Sequence, residues 1–208
     1  MIDRYGVDEN KILKSGTTTV GIVTKEAVIL ATESQATMGT LVANKKVPKI
    51  YNITDRVAMT ISGSVADCQQ LVEIIRANIK LYELESGHKA RVKSVAKFTS
   101  YTLFQQRYSP YLSQLLIGGY DELGPHLFSL DPLGSLIEED GFTATGSGSV
   151  IAFGVLESEY KKDMSVKEAI EMARRAIDSA RKRDTASGGD IQIAIIRKNG
   201  IERKIISS

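Results

Sequence analysis

Cysteine is almost absent from this chain, which contains only Cys68 among its 208 residues. A lone cysteine excludes an intrachain disulfide and any metal site that needs several thiolates. A chain without disulfides suits a reducing compartment, so we expect a cytoplasmic protein. Because Cys68 falls early in an amphipathic segment, a small apolar role is a better interpretation than a reactive one.

Long apolar runs and a strong charge imbalance are also missing. No stretch of about 18 apolar residues occurs, so the sequence predicts no membrane span. The net charge of +2 gives no sign of the clustered basic surface that nucleic-acid binders show. Apolar residues make up 42% and charged residues 25% of the chain, which is ordinary for a globular protein. With no repeat, linker or low-complexity tract, the sequence indicates one domain.

Histidine occurs only at His88 and His126, and neither lies in a catalytic motif. A Ser-His-Asp triad needs a histidine beside an activated serine, but the chain has no GxSxG segment. We therefore expect both histidines at the surface. The glycine-rich segment at 146–150 lacks the lysine of a phosphate-binding loop. The sequence thus offers neither an obvious histidine base nor a nucleotide signature.

Hydrophobic periodicity predicts a mixed chain of strands and helices. The expected strands cover residues 17–24, 27–32, 56–62, 112–120, 126–131, 191–197 and 201–206. Helical spacing predicts helices over residues 65–85, 91–107, 150–160 and 165–183. Because strict βαβ alternation is missing, the order favours mostly antiparallel sheets covered by helices over a doubly wound parallel sheet.

Local signals mark the ends of two of these helices. The pairs Ser64 with Asp67 and Ser165 with Glu168 have the spacing of a capping box, in which two side chains satisfy the first backbone N–H groups. Gly87 predicts the end of the first helix.

The first 16 residues form a polar, charge-neutral segment that ends in Ser15-Gly16. It could be a frayed terminus or a removable leader, and composition alone favours the frayed terminus. If cleavage freed Thr17, its own α-amino group, with a pKa of about 7.7–8.0, could serve as the base for its hydroxyl. Gly16 would let the backbone bend as self-attack requires. The alternative, favoured without further context, is that Thr17 only begins a strand.

Six segments, taken together, resemble a proteasome β-subunit of the archaeal type. They are SGTTTVGIV at 15–23, ILATESQATMG at 29–39, AMTISGSVADCQ at 58–69, QLLIGGYD at 114–121, ATGSGS at 144–149 and RDTASGGDIQIAII at 183–196. The resemblance implies an α+β fold, a four-layer αββα sandwich with two antiparallel sheets, known as the N-terminal nucleophile hydrolase fold. It also implies a removable propeptide over residues 1–16 and a single catalytic domain over residues 17–208.

The matching motifs imply a catalytic set centred on Thr17, whose Oγ would attack the scissile carbonyl. Glu33 and Lys49 match the family's acidic and basic positions, and an ammonium near Thr17 would lower the pKa of its hydroxyl and of its freed amine. The backbone N–H of Gly63 matches the oxyanion-hole donor. The polar positions that would hold the amine and its water are matched by Ser147, Asp184 and Ser187. Asp184 could instead simply end the 165–183 helix.

Other matching residues imply how substrate would bind. Thr37 matches a residue that pairs with the extended substrate backbone, as an added strand would. The pocket for the side chain that precedes the cut is matched by four apolar residues: Ala36, Val47, Ile61 and Val65. We therefore expect cleavage after hydrophobic residues.

The same resemblance implies partners and an activity. The chain would assemble with a ring of α-subunits and with β-subunits of the same or a second type, and it would cleave unfolded polypeptides delivered by an ATPase unfoldase. No metal, organic cofactor, nucleic acid or membrane is implied. The intact catalytic set favours a threonine endopeptidase that cleaves itself at Gly16-Thr17. The alternative is an unprocessed, catalytically silent structural β-subunit of a mixed ring; the bacterial two-ring relative and an α-subunit are disfavoured.

Overall fold

The structure is a computed structural model that describes residues 16–207. Residues 1–15 of the expected propeptide therefore lie outside the described part of the chain. Within that part the helices are α1 (Val65–Ser86), α2 (Val92–Gln105), α3 (Ser149–Glu159) and α4 (Val166–Arg181). The strands are β1 (Thr18–Val23), β2 (Val28–Glu33), β3 (Ala36–Met38), β4 (Leu41–Asn44), β5 (Ile50–Asn52), β6 (Val57–Gly63), β7 (Ser113–Asp121), β8 (Gly124–Leu130), β9 (Leu136–Glu138), β10 (Phe142–Gly146), β11 (Ile191–Arg197) and β12 (Gly200–Ile206).

These strands form two five-stranded sheets and one separate hairpin. The first sheet has the order β10-β1-β2-β11-β12, and the second has the order β5-β6-β7-β8-β9. β3 and β4 form the hairpin. Neighbouring strands in both sheets are antiparallel, which confirms the predicted sheet type.

Apolar side chains fill three separate spaces between the layers. Leu30 and Leu116 belong to the cluster between the two sheets, α1 and α2 cover the second sheet, and α3 and α4 cover the first. Along β2, Val28 and Leu30 point between the sheets while Ile29 and Ala31 point toward α3 and α4, because successive side chains of a strand face opposite sides. The order of helices, sheet, sheet, helices confirms the four-layer α+β sandwich.

Only one of the two predicted capping boxes forms. At the start of α4, Ser165 Oγ accepts from Glu168 N (3.3 Å), and Ser165 N donates to Glu168 Oε2 (2.8 Å). At the start of α1, Ser64 Oγ accepts from Asp67 N (3.4 Å), but the Asp67 carboxylate accepts from Leu112 N (2.9 Å) instead of from Ser64. The box predicted at α1 is therefore wrong, because the shorter aspartate side chain binds the segment before β7.

Helix α1 ends where the sequence predicts. Gly87 follows its last turn with a φ of 71°, in the left-handed region that glycine adopts without steric cost. Leu71, Ile75 and Ile79 are buried along one face, as their spacing indicates. Among residues 16–207, no helix combines the length and the apolar character needed to cross a membrane.

Five strands escape the sequence prediction: β3, β4, β5, β9 and β10. Each has only three to five residues, which is too short for periodicity to register. β3 and β4 pair with each other, β5 pairs with β6 and β9 pairs with β8, all close in sequence, whereas β10 pairs with the distant strand β1. The strand β10 leads directly into Ser147, which lies in the candidate active site.

The two histidines occupy different environments. His88 is exposed, as predicted, but His126 is half-buried, and its Nδ1 lies 3.0 Å from Glu138 Oε1. Its other ring nitrogen lies 3.5 Å from Asp121 Oδ1, and the ring stacks on Phe128. His126 is therefore at the surface but less exposed than His88, because Asp121 and Glu138 contact its ring.

Candidate active site

Thr17 lies immediately before β1 and is almost completely buried, with 2% of its surface exposed. Its Oγ1 donates to the carbonyl oxygen of Gly16 (2.7 Å) and accepts from Lys49 Nζ (2.8 Å). A side chain at position 16 would not fit, because a Cβ on Gly16 would overlap the Cβ of Ala186. The hydroxyl of Thr17 is therefore held between the preceding peptide group and a lysine ammonium.

Lys49 and Glu33 form a buried ion pair behind Thr17. Their side chains are 3% and 0% exposed, and Lys49 Nζ contacts Glu33 Oε1. Glu33 Oε2 accepts from the backbone N–H groups of Gln35 (2.6 Å) and Gly188 (3.1 Å), and Oε1 accepts from Thr18 N (3.4 Å). A buried ion pair is tolerated only when further hydrogen bonds satisfy its polar atoms, and this pair has them.

Burial shifts the pKa values of both partners toward their neutral forms. It lowers the pKa of Lys49 below its ordinary value, against the opposing charge of Glu33. It also raises the pKa of Glu33, against the opposing effects of Lys49 and of two backbone N–H groups. When Lys49 carries its positive charge beside the hydroxyl of Thr17, that charge lowers the pKa of the hydroxyl and favours removal of its proton.

A second polar cluster adjoins the backbone of Thr17. Asp184 Oδ2 accepts from Ser147 Oγ (2.6 Å) and from Ser187 Oγ (2.7 Å). Ser187 Oγ also bonds to Thr18 Oγ1 (2.7 Å), and Ser147 Oγ lies 3.4 Å from the carbonyl oxygen of Thr17. The structure thus brings the three residues singled out in the sequence into one network beside Thr17.

The alternative role considered for Asp184, a helix end, describes only its backbone. Helix α4 ends at Arg181, and Asp184 N donates to Ala180 O (2.8 Å) in the turn that follows. The carboxylate of Asp184 is directed to the two serine hydroxyls and to Ala186 N (3.2 Å). Its side chain therefore belongs to the polar cluster.

Gly63 ends β6 in a conformation that requires glycine. Its φ is 121°, and a Cβ there would overlap the carbonyl oxygen of Leu112. The oxyanion-hole role of its N–H stays a prediction.

The residues expected to bind substrate occupy two kinds of environment. Thr37 is buried, and its Oγ1 accepts from Gly16 N (3.3 Å), so it contacts the chain that precedes Thr17. Ala36, Val47 and Val65 are half-buried. Ile61 is only 3% exposed and packs in the cluster beneath α1 and α2, because its side chain leaves β6 on the helix side.

Sequence reasoning missed several residues that hold the site. Thr18 and Gly188 bind Ser187 and Glu33 respectively, and Gln192 binds the backbone on both sides of Pro48. Thr18 lies next to the expected nucleophile, a position that could have drawn attention to it. Gln192 gives no local signal, since its role depends on how β11 pairs with β2.

The described residues include neither a reactive cysteine nor a cluster of metal ligands. Cys68 is buried, and burial raises the pKa of its thiol to about 12, so the thiolate that reacts with electrophiles is scarcely populated. Residues 16–207 contain no group of three or more His, Cys, Asp or Glu side chains that could bind a metal ion.

The fold class follows from the layer order and from the position of Thr17. Two antiparallel sheets lie between helical layers, and the first strand starts at the polar cluster; this is the N-terminal nucleophile hydrolase fold. The model of the proteasome subunit family matches residues 13–196. The chain therefore belongs to the proteasome subunit family.

Its relatives among known proteins are archaeal subunits of the β type. The chain is 52% identical over 188 residues to the proteasome subunit beta of Methanocaldococcus fervens, covering 90% of this chain and 84% of the relative. It is 50% identical over 196 residues to that of Methanococcus aeolicus (94% and 90%) and 48% identical over 197 residues to that of Methanosarcina barkeri (95% and 93%). The resemblance to archaeal β-subunits is thereby confirmed.

Proposed function

We propose that this chain is a threonine-type endopeptidase subunit of the proteasome core particle, activated by self-cleavage between Gly16 and Thr17. One observation carries the proposal: Lys49 Nζ lies 2.8 Å from Thr17 Oγ1 while it is paired with the buried carboxylate of Glu33. A buried lysine is costly unless paired, and here the pair is directed at a single hydroxyl. That arrangement serves activation of a nucleophile better than it serves stability.

Self-cleavage would begin with attack of Thr17 Oγ1 on the carbonyl carbon of Gly16. The distance of 2.7 Å between Oγ1 and Gly16 O keeps the hydroxyl beside that peptide group. The new C–O bond forms as the C–N bond breaks, the hydroxyl proton passes to the released amine, and an ester results. Hydrolysis of the ester by water gives a carboxylate at Gly16 and a free amine and hydroxyl on Thr17.

The free amine would then act as the base in peptide hydrolysis. Its pKa of about 7.7–8.0 leaves it partly neutral at cellular pH, and it is carried by the residue that supplies the nucleophile. The cluster of Ser147, Asp184 and Ser187 would orient the amine and a water. The N–H of Gly63 would stabilise the oxyanion, a contribution of about 3–4 kcal/mol where such donors have been removed.

Specificity would come from the half-buried residues beside Thr37. We propose that Thr37 binds the substrate backbone, that Ala36, Val47 and Val65 line the pocket before the cut, and that buried Ile61 forms its floor. An apolar pocket favours apolar side chains by about 1–3 kcal/mol per methylene. Fluorogenic peptides ending in Leu or Tyr should be cleaved faster than those ending in Arg or Glu; the reverse order would refute this pocket.

We further propose that the subunit works inside an assembled cytoplasmic particle. Its partners would be an α-subunit ring, β-subunits of the same or a second type, and an ATPase that feeds unfolded polypeptides. The subunit names of its relatives support assembly, and so do large apolar side chains exposed on α1 and α2, such as Leu84, Tyr101 and Phe104.

The experiment that tests the proposed function is the Thr17→Ala substitution in the full chain. Intact mass should show that residues 1–16 are retained, and peptidase activity of the assembled particle should disappear. Thr102→Ala, on the outer helix α2, is the matched control and should change neither readout. Normal loss of 16 residues in Thr17→Ala would refute self-cleavage, and normal activity would refute the nucleophile.

A further inference from the structure

Lys49 ends the connection between β4 and β5, where its carbonyl oxygen accepts from Ile61 N of β6 (3.0 Å) while its N–H has no partner in that sheet. Residues 45–49 connect β4 to β5, and Pro48 supplies no backbone N–H. The position of the Lys49 ammonium therefore depends on what fixes this connection. A displacement of about 1 Å in a catalytic group can cost roughly 100-fold in rate, so the residues that bind the segment matter for chemistry.

The side chain of Gln192 binds the segment at both sides of Pro48. Its Oε1 accepts from Lys49 N (3.0 Å), and its Nε2 donates to Val47 O (2.8 Å). The amide orientation is fixed by its partners, because the reverse orientation would place N–H against N–H and oxygen against oxygen. Only a carboxamide among the common side chains offers a donor and an acceptor in this planar arrangement.

Gln192 is itself fixed by the sheet that carries the other catalytic groups. It lies on β11 opposite Thr32 of β2, one residue from Glu33. A second contact joins the same segment to the residue that follows β2, since Val47 N donates to Ser34 O (2.8 Å). Hydrogen bonds thus fix the position of the connection that contains Lys49 relative to β2, the strand that contains Glu33.

We infer that Gln192 is a positioning residue: its amide holds the backbone of Val47 and Lys49 so that the Lys49 ammonium meets both Thr17 Oγ1 and Glu33. This inference rests on the proposed peptidase function. Gln192 touches none of the reacting atoms itself, and its effect passes through Lys49.

The site of Gln192 makes the inference testable without unfolding the protein. Its side chain is half-buried and lines a surface cavity of about 380 Å³. Replacing it therefore opens no closed void of the kind that makes core substitutions costly. The hydrogen bonds that are lost belong to one connection and not to the sheets.

The experiment compares Gln192→Met, which keeps the length of the side chain but loses both hydrogen bonds, with wild type and with Gln70→Met. Gln70 is exposed on α1 and serves as the matched control. In the assembled particle, kcat for Gln192→Met should fall about 10- to 100-fold while KM changes little. The pH dependence of kcat should also shift, because a displaced ammonium no longer acts equally on the Thr17 amine.

Three further measurements distinguish a positioning role from an indirect effect. Self-cleavage uses the same hydroxyl, so its rate, followed by intact mass, should fall together with kcat. Gln192→Asn, one methylene shorter, is the milder variant and should lose activity by a smaller factor. Thermal unfolding of both variants should stay close to that of wild type.

The possible results distinguish the positioning role of Gln192 from the proposed peptidase function. Wild-type kcat and pH profile in Gln192→Met would overturn the positioning role, and so would a loss of activity that merely tracks a lower unfolding temperature with an unchanged pH profile. A wild-type particle without peptidase activity would instead refute the proposed function.

Discussion

The space between the two sheets is apolar at one end and polar at the other. Along β2, the side chains facing this space change from Val28 and Leu30 to Thr32, and along β11 they change from Ala194 to Gln192. The apolar end contains a buried cluster: Val28, Leu30, Ile50, Ala58, Leu116, Leu127, Ala194 and Ile196. The polar end adjoins Thr17. The same strands therefore supply cohesion at one end and chemistry at the other.

The polar end is ordered by hydrogen bonds in place of apolar contact. Thr19 Oγ1 bonds to Thr145 Oγ1 (2.7 Å) and accepts from Thr60 Oγ1 (3.3 Å), and Thr32 Oγ1 donates to Thr18 O (3.1 Å). Buried polar groups are expensive when unpaired, so this network keeps polar residues beneath the site at a tolerable cost. Substitutions at the polar end should therefore reduce activity most, and substitutions at the apolar end should reduce stability most.

The largest effect is expected for Lys49→Met at the polar end. Loss of the ammonium should lower kcat about 100- to 1,000-fold, as removal of a single electrostatic group does elsewhere. It also leaves Glu33 buried without a counter-charge, which should cost about 3–5 kcal/mol of unfolding free energy. Kinetics of the assembled particle and denaturant unfolding measure the two effects.

The double variant Glu33→Gln with Lys49→Met separates those effects. With both charges gone, stability should largely return while activity stays lost. Lys80→Met, at an exposed position of α1, is the control for removing a lysine. Recovery of activity together with stability in the double variant would contradict the assigned role of Lys49.

Leu30→Ala, at the apolar end, should lower stability without lowering activity. Leu30 is fully buried, and such truncations cost about 2–5 kcal/mol. Activity per folded particle should nevertheless stay near that of wild type, because the catalytic end is ordered by separate contacts. Leu123→Ala, in an exposed turn, is the matched control. Denaturant unfolding measures the stability, and the specific activity of the folded particle measures the chemistry. A drop in activity at unchanged stability would contradict this prediction.

A smaller effect is expected for Thr60→Val, midway between the two ends. Valine keeps the shape but removes the hydroxyl that accepts from Leu116 N and donates to Thr19 Oγ1 (both 3.3 Å). The unsatisfied groups should cost about 1–3 kcal/mol, seen as a lower denaturation midpoint, while Thr40→Val at an exposed position should not. If Thr60→Val proved more stable than wild type, the polar network would not be needed for order.

The smallest effect is expected at an exposed ion pair. Lys25 and Asp163 lie 2.6 Å apart, but their side chains are 77% and 74% exposed, so water and salt screen them. Lys25→Ala should leave the unfolding midpoint within error of wild type. A loss comparable to that of Lys49→Met would mean that burial does not explain the difference between the two pairs.

Local signals predicted the long elements, and tertiary contacts determined the rest. The capping box at Ser165 and the apolar face of α4 can be predicted from the sequence, because both depend on residues three or four positions apart. β3 has only three residues, too few to show a period, and β10 forms against β1, which is distant in the chain. The capping box predicted from the spacing of Ser64 and Asp67 is wrong, because the Asp67 carboxylate accepts from Leu112 N instead.

The candidate site was predicted through resemblance, which supplied what local reasoning lacks. Thr17, Glu33, Lys49 and Asp184 are far apart in sequence, and periodicity cannot tell that they meet. Family motifs named them, and the structure brings them together. Gln192 remained unseen because its partners follow from the pairing of β11 with β2 and from the course of the connection that carries Lys49.

Sequencing the amino terminus of this chain in an assembled particle that cleaves peptides is the decisive test of activation by self-cleavage. We expect the chain to begin at Thr17, with its mass lowered by the 16 residues that precede it. A particle that is active while Gly16 is still joined to Thr17 would contradict it.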